Sequence, residues 1–93
     1  MYIKKINHAF GDKLKCVLVD DEKNSRIVLK DLLFNFCKNV EVVGEASSVE
    51  EAFNVINDKK PHLIFLDIQM PMGNGFSLLK KFELVPFEVI FIT

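Results

Sequence analysis

The chain has little net charge, few cysteines and no long apolar run, and each shortage excludes something. Twelve basic against thirteen acidic side chains leave a formal charge of −1. Such a balance gives no basic stripe of the kind that marks a nucleic-acid-binding surface. The longest apolar runs are four residues, Cys16-Val17-Leu18-Val19, Leu63-Ile64-Phe65-Leu66 and Val89-Ile90-Phe91-Ile92. A membrane-spanning helix needs about 20. No signal-peptide core follows Met1, so a cytoplasmic chain without membrane contact is expected. The two cysteines, Cys16 and Cys37, lie in apolar stretches and read as reduced core thiols.

What remains is a short, apolar, globular sequence. Its 93 residues are 49% hydrophobic and 27% charged, which excludes a disordered or low-complexity chain. One domain is the most that this length allows. Residues 1–14 show no clean period and read as an N-terminal extension, with the domain proper over residues 15–93.

From Lys15 onward the pattern alternates. The three apolar runs, and a weaker one at Val40-Glu41-Val42-Val43 closed by Gly44, read as strands. Unbroken apolar runs imply strands covered on both faces, the mark of a parallel sheet. Between them, residues 23–38 carry Ile27, Leu29, Leu32, Leu33 and Phe36 as one broad helical stripe. Ser48 and Glu51 fit a capping box opening a second helix, with Val49, Ala52, Phe53 and Ile56 buried and an end at Asn57-Asp58 before Pro61. Phe76, Leu79 and Phe82 stripe a third, shorter helix. The order β-α-β-α-β-α-β, with right-handed crossovers, predicts an α/β fold with a doubly wound open parallel sheet.

In such a sheet, ligands bind beyond the carboxyl ends of the strands. Asp20, Asp21, Asp67 and Thr93 stand at those ends, on three runs. An acidic pair after a strand is often only a helix cap or a turn. Carboxylates gathered from neighbouring strand ends, about 5 Å apart, are different. They repel by roughly 3 kcal/mol per pair at an effective dielectric near 20. A hard divalent cation with oxygen ligands resolves that conflict, and a partly hydrated site suits Mg²⁺. Elsewhere, Gly73-Asn74-Gly75 reads as a turn rather than a dinucleotide loop, and His62 as a surface residue.

Four segments together carry a family resemblance: Val19-Asp20-Asp21-Glu22, Leu66-Asp67-Ile68-Gln69-Met70-Pro71, Gly73-Asn74-Gly75-Phe76 and Phe91-Ile92-Thr93. Over residues 15–93 the chain resembles the CheY-like receiver domain of two-component response regulators. The resemblance implies the flavodoxin-like strand order 2-1-3-4. It makes Asp67 the phosphoacceptor, charged by a sensor histidine kinase, and Thr93 the switch hydroxyl. It assigns Asp20, Asp21, Asp67 and the backbone carbonyl of Gln69 to Mg²⁺. Met70-Pro71 and Gly75 match the turn beside the phosphorylation site. The family's fifth strand with its lysine, and its last helices, have no counterpart before Thr93, so an incomplete receiver is expected. A finer likeness, through Val43-Gly44-Glu45-Ala46 and residues 61–71, is to receivers of LytTR-type transcriptional regulators, in which DNA is touched only by a separate effector domain.

These readings predict a signalling domain rather than an enzyme. Two alternatives differ in what they require of the sequence. A HAD-like metal-dependent phosphatase carries Asp-x-Asp after its first strand, whereas Asp20 and Asp21 are adjacent. A receiver-like interaction module without phosphorylation would not need the acidic set. An exposed last strand further predicts homodimers through the sheet edge or exchanged elements.

Overall fold

The computed structural model describes residues 13–70 and 73–92. It contains β1 (Leu14–Val19), α1 (Lys23–Phe36), β2 (Val40–Ala46), α2 (Val49–Lys59), β3 (Leu63–Asp67), α3 (Gly75–Leu79) and β4 (Glu88–Ile92). The strands form one parallel sheet in the order β2-β1-β3-β4. The chain therefore reverses its winding direction after β2, and the carboxyl ends of β1 and β3 become neighbours. This is the doubly wound, flavodoxin-like receiver arrangement expected from the sequence. β1 begins at Leu14, one residue before the sequence boundary, and residues 1–12 of the expected extension lie outside the described residues.

Alternation along the central strands divides two cores. Leu14, Cys16 and Leu18 of β1 join Leu63 and Phe65 of β3 against Leu29 and Leu33 of α1. Val17, Val19, Ile64 and Leu66 point the other way, against Val49, Ala52 and Ile56 of α2 and Leu78 of α3. Successive strand side chains point to opposite faces, so a strand sandwiched between helices must be apolar at every position. Fully burying one such Leu or Phe contributes about 1.5–3 kcal/mol. Phe65 is the largest fully buried side chain.

Local chemistry sets the helix ends. Ser48 Oγ accepts from the Glu51 N–H (3.1 Å), the first half of the expected capping box. Glu51 Oε1 accepts from Ser47 N–H (2.9 Å), one residue before the cap itself. α2 runs past Asn57 and Asp58 to Lys59 and ends on Lys60, whose φ of 48° is left-handed.

Three expectations are corrected. Gly44 does not close β2 but lies inside it, after a bulge at Val43 that pairs Val17 with Gly44. A Cβ there would sit 2.7 Å from Val55 Cγ1, so glycine admits α2 against the strand. The broad stripe of α1 is only partly used: Leu29 and Leu33 are buried, while Ile27, Leu32 and Phe36 are exposed. The third helix stops at Leu79. Phe82 lies beyond it and packs in an aromatic chain, 5.1 Å from Phe53 and 5.2 Å from Phe87 between ring centroids.

Candidate functional site

Asp20 directly follows β1, and Asp67 is the last residue of β3. Register pairs Val19 with Leu66, so the next residue on each strand arrives at the same end of the sheet. One carboxylate oxygen from each of Asp20, Asp21 and Asp67 lies within 4.8 Å of the others. Asp20 and Asp67 are buried. Asp21 is the more accessible member.

Each buried carboxylate is aimed by a local backbone donor. Glu22 N–H donates to Asp20 Oδ1 (2.9 Å), and Gln69 N–H donates to Asp67 Oδ1 (3.0 Å). Neither aspartate is the helix cap that composition alone would suggest: the residue before α1 is Glu22, whose side chain makes no capping bond. Beneath Asp67, the Gly75 N–H donates to the Ile68 carbonyl (3.0 Å). Asn74 Oδ1 caps α3 by accepting from Ser77 N–H (3.0 Å). The loops meet over an open cleft of about 690 Å³ lined by Asp21, Glu22, Asp67, Ile68, Gln69, Met70, Asn74 and Phe76.

The cluster is electrostatically unbalanced. None of its three carboxylates takes part in an ion pair among the described residues; the pairs there are Arg26–Glu45, Lys30–Glu45 and Lys59–Asp58. Burial pushes the Asp67 carboxyl above the usual range, the charges of Asp20 and Asp21 push the same way, and the Gln69 N–H opposes them. A carboxyl is raised in this way when its charged form is both desolvated and surrounded by like charge. At 4.8 Å or less, each ionised pair would repel by at least about 3.5 kcal/mol at an effective dielectric near 20. Hard oxygen donors, converged and with no ion pair among the described residues, fit a small divalent ion.

The structure thus brings together Asp20, Asp21, Asp67 and Gln69 from the set expected by sequence. Thr93 and Pro71 lie outside the described residues. Sequence reading missed Arg26, whose Nη1–H donates to the Asp20 carbonyl oxygen (2.6 Å) and whose Nε–H donates to Glu45 Oε1 (3.0 Å). Its one available signal was rarity: Arg26 is the only arginine in the sequence. His62 was also underread, since its Nδ1 accepts the Lys15 N–H (3.0 Å) and ties β1 to the entrance of β3.

Residues 16–93 match the response regulator receiver domain family. The chain belongs to that family. It is 43% identical over 82 residues to an uncharacterized response regulatory protein of Vibrio cholerae, covering 86% of this chain and 34% of that protein. It is 43% identical over 83 residues to the sensory transduction protein LytT of Bacillus anthracis, covering 86% and 33%. The chain therefore spans about a third of the length of these curated relatives. The crystal structure of the response regulator domain of Thermotoga maritima CheB superposes with a TM-score of 0.72 at 34% identity, over 85% of this chain and 59% of that one. The PhyR receiver domain of Erythrobacter litoralis gives 0.71 at 25% identity, over 88% and 64%. As a receiver domain the chain is a signalling unit, and its acidic cluster is compatible with Mg²⁺. No helix among the described residues is long and apolar enough to cross a membrane.

Proposed function

We propose that Asp67 accepts a phosphoryl group from a sensor histidine kinase, with Mg²⁺ held by Asp20, Asp21, Asp67 and the Gln69 backbone carbonyl. The observation that carries this reading is the convergence of the three carboxylates within 4.8 Å, without an ion pair to any of them among the described residues. A bound Mg²⁺ supplies charge neutralisation for the incoming phosphoryl oxygens. The free Asp67 oxygen donates a lone pair to phosphorus; the bond between phosphorus and the donor imidazole nitrogen breaks, and that nitrogen takes back the electron pair. The product is an aspartyl phosphate. The Gln69 N–H orients Asp67 by engaging Oδ1, which supports Oδ2 as the attacking oxygen. Asn74 and Phe76 border the approach. Thr93, next in sequence after Ile92, is proposed, by family resemblance, as the hydroxyl that answers phosphorylation. Residues 15–93 are proposed as the receiver unit. Its output is proposed to be transcriptional, through an effector domain separate from this chain, in the cytoplasm.

Adjacent Asp20-Asp21 and a nucleophile on β3 rather than β1 support this reading over a phosphatase of the HAD type. Incubation with Mg²⁺ and acetyl phosphate or phosphoramidate, followed by intact mass measurement, tests it. One labile phosphoryl adduct is expected, absent from Asp67→Asn. Steady phosphate release over many turnovers, or no adduct on folded protein, contradicts it.

We also propose self-association of this chain. β4 has a single neighbour, β3, among the described residues, and Ile27, Val28, Leu32, Phe34 and Phe36 of α1 are exposed. Open strand edges and apolar patches recruit partners. Sedimentation equilibrium is expected to show dimers at high concentration; a monomer throughout contradicts the proposal.

A further inference from the structure

The Asp20 backbone is fastened on both sides. Its N–H donates to the Ala46 carbonyl at the end of β2 (3.0 Å), and its own carbonyl accepts from Arg26 Nη1–H (2.6 Å). The guanidinium is itself held: Arg26 Nε–H donates to Glu45 Oε1 (3.0 Å), and Lys30 Nζ donates to Glu45 Oε2 (2.7 Å). The Arg26 side chain is only 15% exposed, against 42% for Lys30. An arginine fork lets one side chain engage two acceptors in a fixed plane, which a lysine ammonium does poorly.

A surface ion pair needs none of this. Glu45 already has Lys30, and a guanidinium beside a cation site is electrostatically adverse to a divalent ion. The Arg26–Asp20 bond has a different consequence. The Asp20 carbonyl belongs to the peptide that links Asp20 to Asp21. Rotation of that peptide swings the Asp21 Cα–Cβ bond, and Asp21 is the least buried member of the cluster.

We infer that Arg26 is a positioning residue for the cation site. By holding the Asp20 carbonyl against Glu45, it fixes the Asp20–Asp21 peptide and keeps the Asp21 carboxylate turned toward Asp20 and Asp67. This rests on the proposed assignment of those three residues to Mg²⁺. It deepens that assignment by naming what orients the most exposed ligand.

The sign of one measurement separates orientation from charge. If Arg26 acted only as a nearby positive charge, its removal would tighten Mg²⁺ binding. If it positions Asp21, its removal weakens binding although a repulsive charge has gone. Amide shifts in the isotopically labelled 93-residue chain, followed during Mg²⁺ titration, give the dissociation constant for wild type, Arg26→Met, Arg26→Lys and Lys30→Met. Outer-shell partners of metal ligands commonly alter affinity by about tenfold or more when removed, and about tenfold weaker binding is expected for Arg26→Met. Arg26→Lys keeps the charge and loses the fork, so it too should bind more weakly. Lys30→Met shares the Glu45 contact but not the carbonyl, and should bind like wild type. Equal or tighter binding by folded Arg26→Met overturns the inference. So does wild-type affinity in Arg26→Lys, or an equal loss in Lys30→Met. Should Arg26→Met fail to fold, Arg26→Lys and Lys30→Met decide by the same criteria. A wild-type chain that binds no Mg²⁺ would instead remove the assignment beneath the inference, a result distinct from any difference among variants.

Discussion

A Cβ on Gly75 would stand 3.0 Å from the Asp67 carbonyl oxygen and 2.9 Å from Leu66 Cγ. The first residue of α3 is thus pressed against the strand end that presents the proposed phosphoacceptor. In an isolated helix Gly→Ala is favourable. Here the backbone carbonyl cannot move aside without moving Asp67, so Gly75→Ala should destabilise by about 1–3 kcal/mol, as overpacking does. Urea unfolding checks the sign, and phosphorylation of Asp67 should slow in the same variant.

Lys60 ends α2 in the left-handed region, with φ of 48°, and its N–H donates to the Ile56 carbonyl (2.8 Å). A side chain there costs about 1 kcal/mol that glycine avoids, partly offset by glycine's greater freedom when unfolded. Lys60→Gly should therefore stabilise by roughly 0.5–1 kcal/mol. Thermal unfolding reads this directly.

Hydrogen bonds from Lys30 and Arg26, against partial burial, hold the Glu45 carboxyl below its ordinary range. A carboxyl depressed by folding contributes stability that is complete above its unfolded pKa, near 4.3. That contribution is lost as pH falls through the lower folded value. Glu45 is a third exposed, so screening limits the effect to about 0.5–1 kcal/mol. Stability of Glu45→Gln should fall below wild type at pH 7 and converge with it under strong acid.

Burial, joined by a smaller push from nearby Cys37, raises the Cys16 thiol to about 12. Cys37 is only partly buried. Because the thiolate is the reactive form, alkylation at pH 8 should modify Cys37 first. Cys16 should react only at the rate at which the sheet opens. Prompt double labelling of folded protein would contradict this.

Much of the fold was legible because sandwiched strands leave a one-dimensional trace. Cys16 to Val19 and Leu63 to Leu66 are apolar at every position, and both faces are indeed covered by helices. Asp20, Asp21 and Asp67 were legible for a related reason: a strand end is a place in sequence as well as in space. What failed needed knowledge of neighbours. Gly44 looked like a stop, yet the approach of Val55 explains it. Periodicity marked Ile27, Leu32 and Phe36 as one face of α1 but not what covers them, and they are exposed. Arg26 reaches a carbonyl six residues back and a carboxylate 19 residues ahead, a link that no local pattern contains.

In the proposed site the adjacent pair Asp20-Asp21 and the sequence-distant Asp67 hold one cation. Substoichiometric Mn²⁺, added as a paramagnetic substitute for Mg²⁺, broadens amide signals only near its site. Loss of the Asp20, Asp21, Asp67 and Gln69 signals is predicted, with Leu14, Val40 and Leu63 at the opposite end of the sheet left sharp and excess Mg²⁺ restoring the rest. Broadening scattered over exposed acidic residues such as Glu50 and Asp58, or none at the strand ends, would contradict the account.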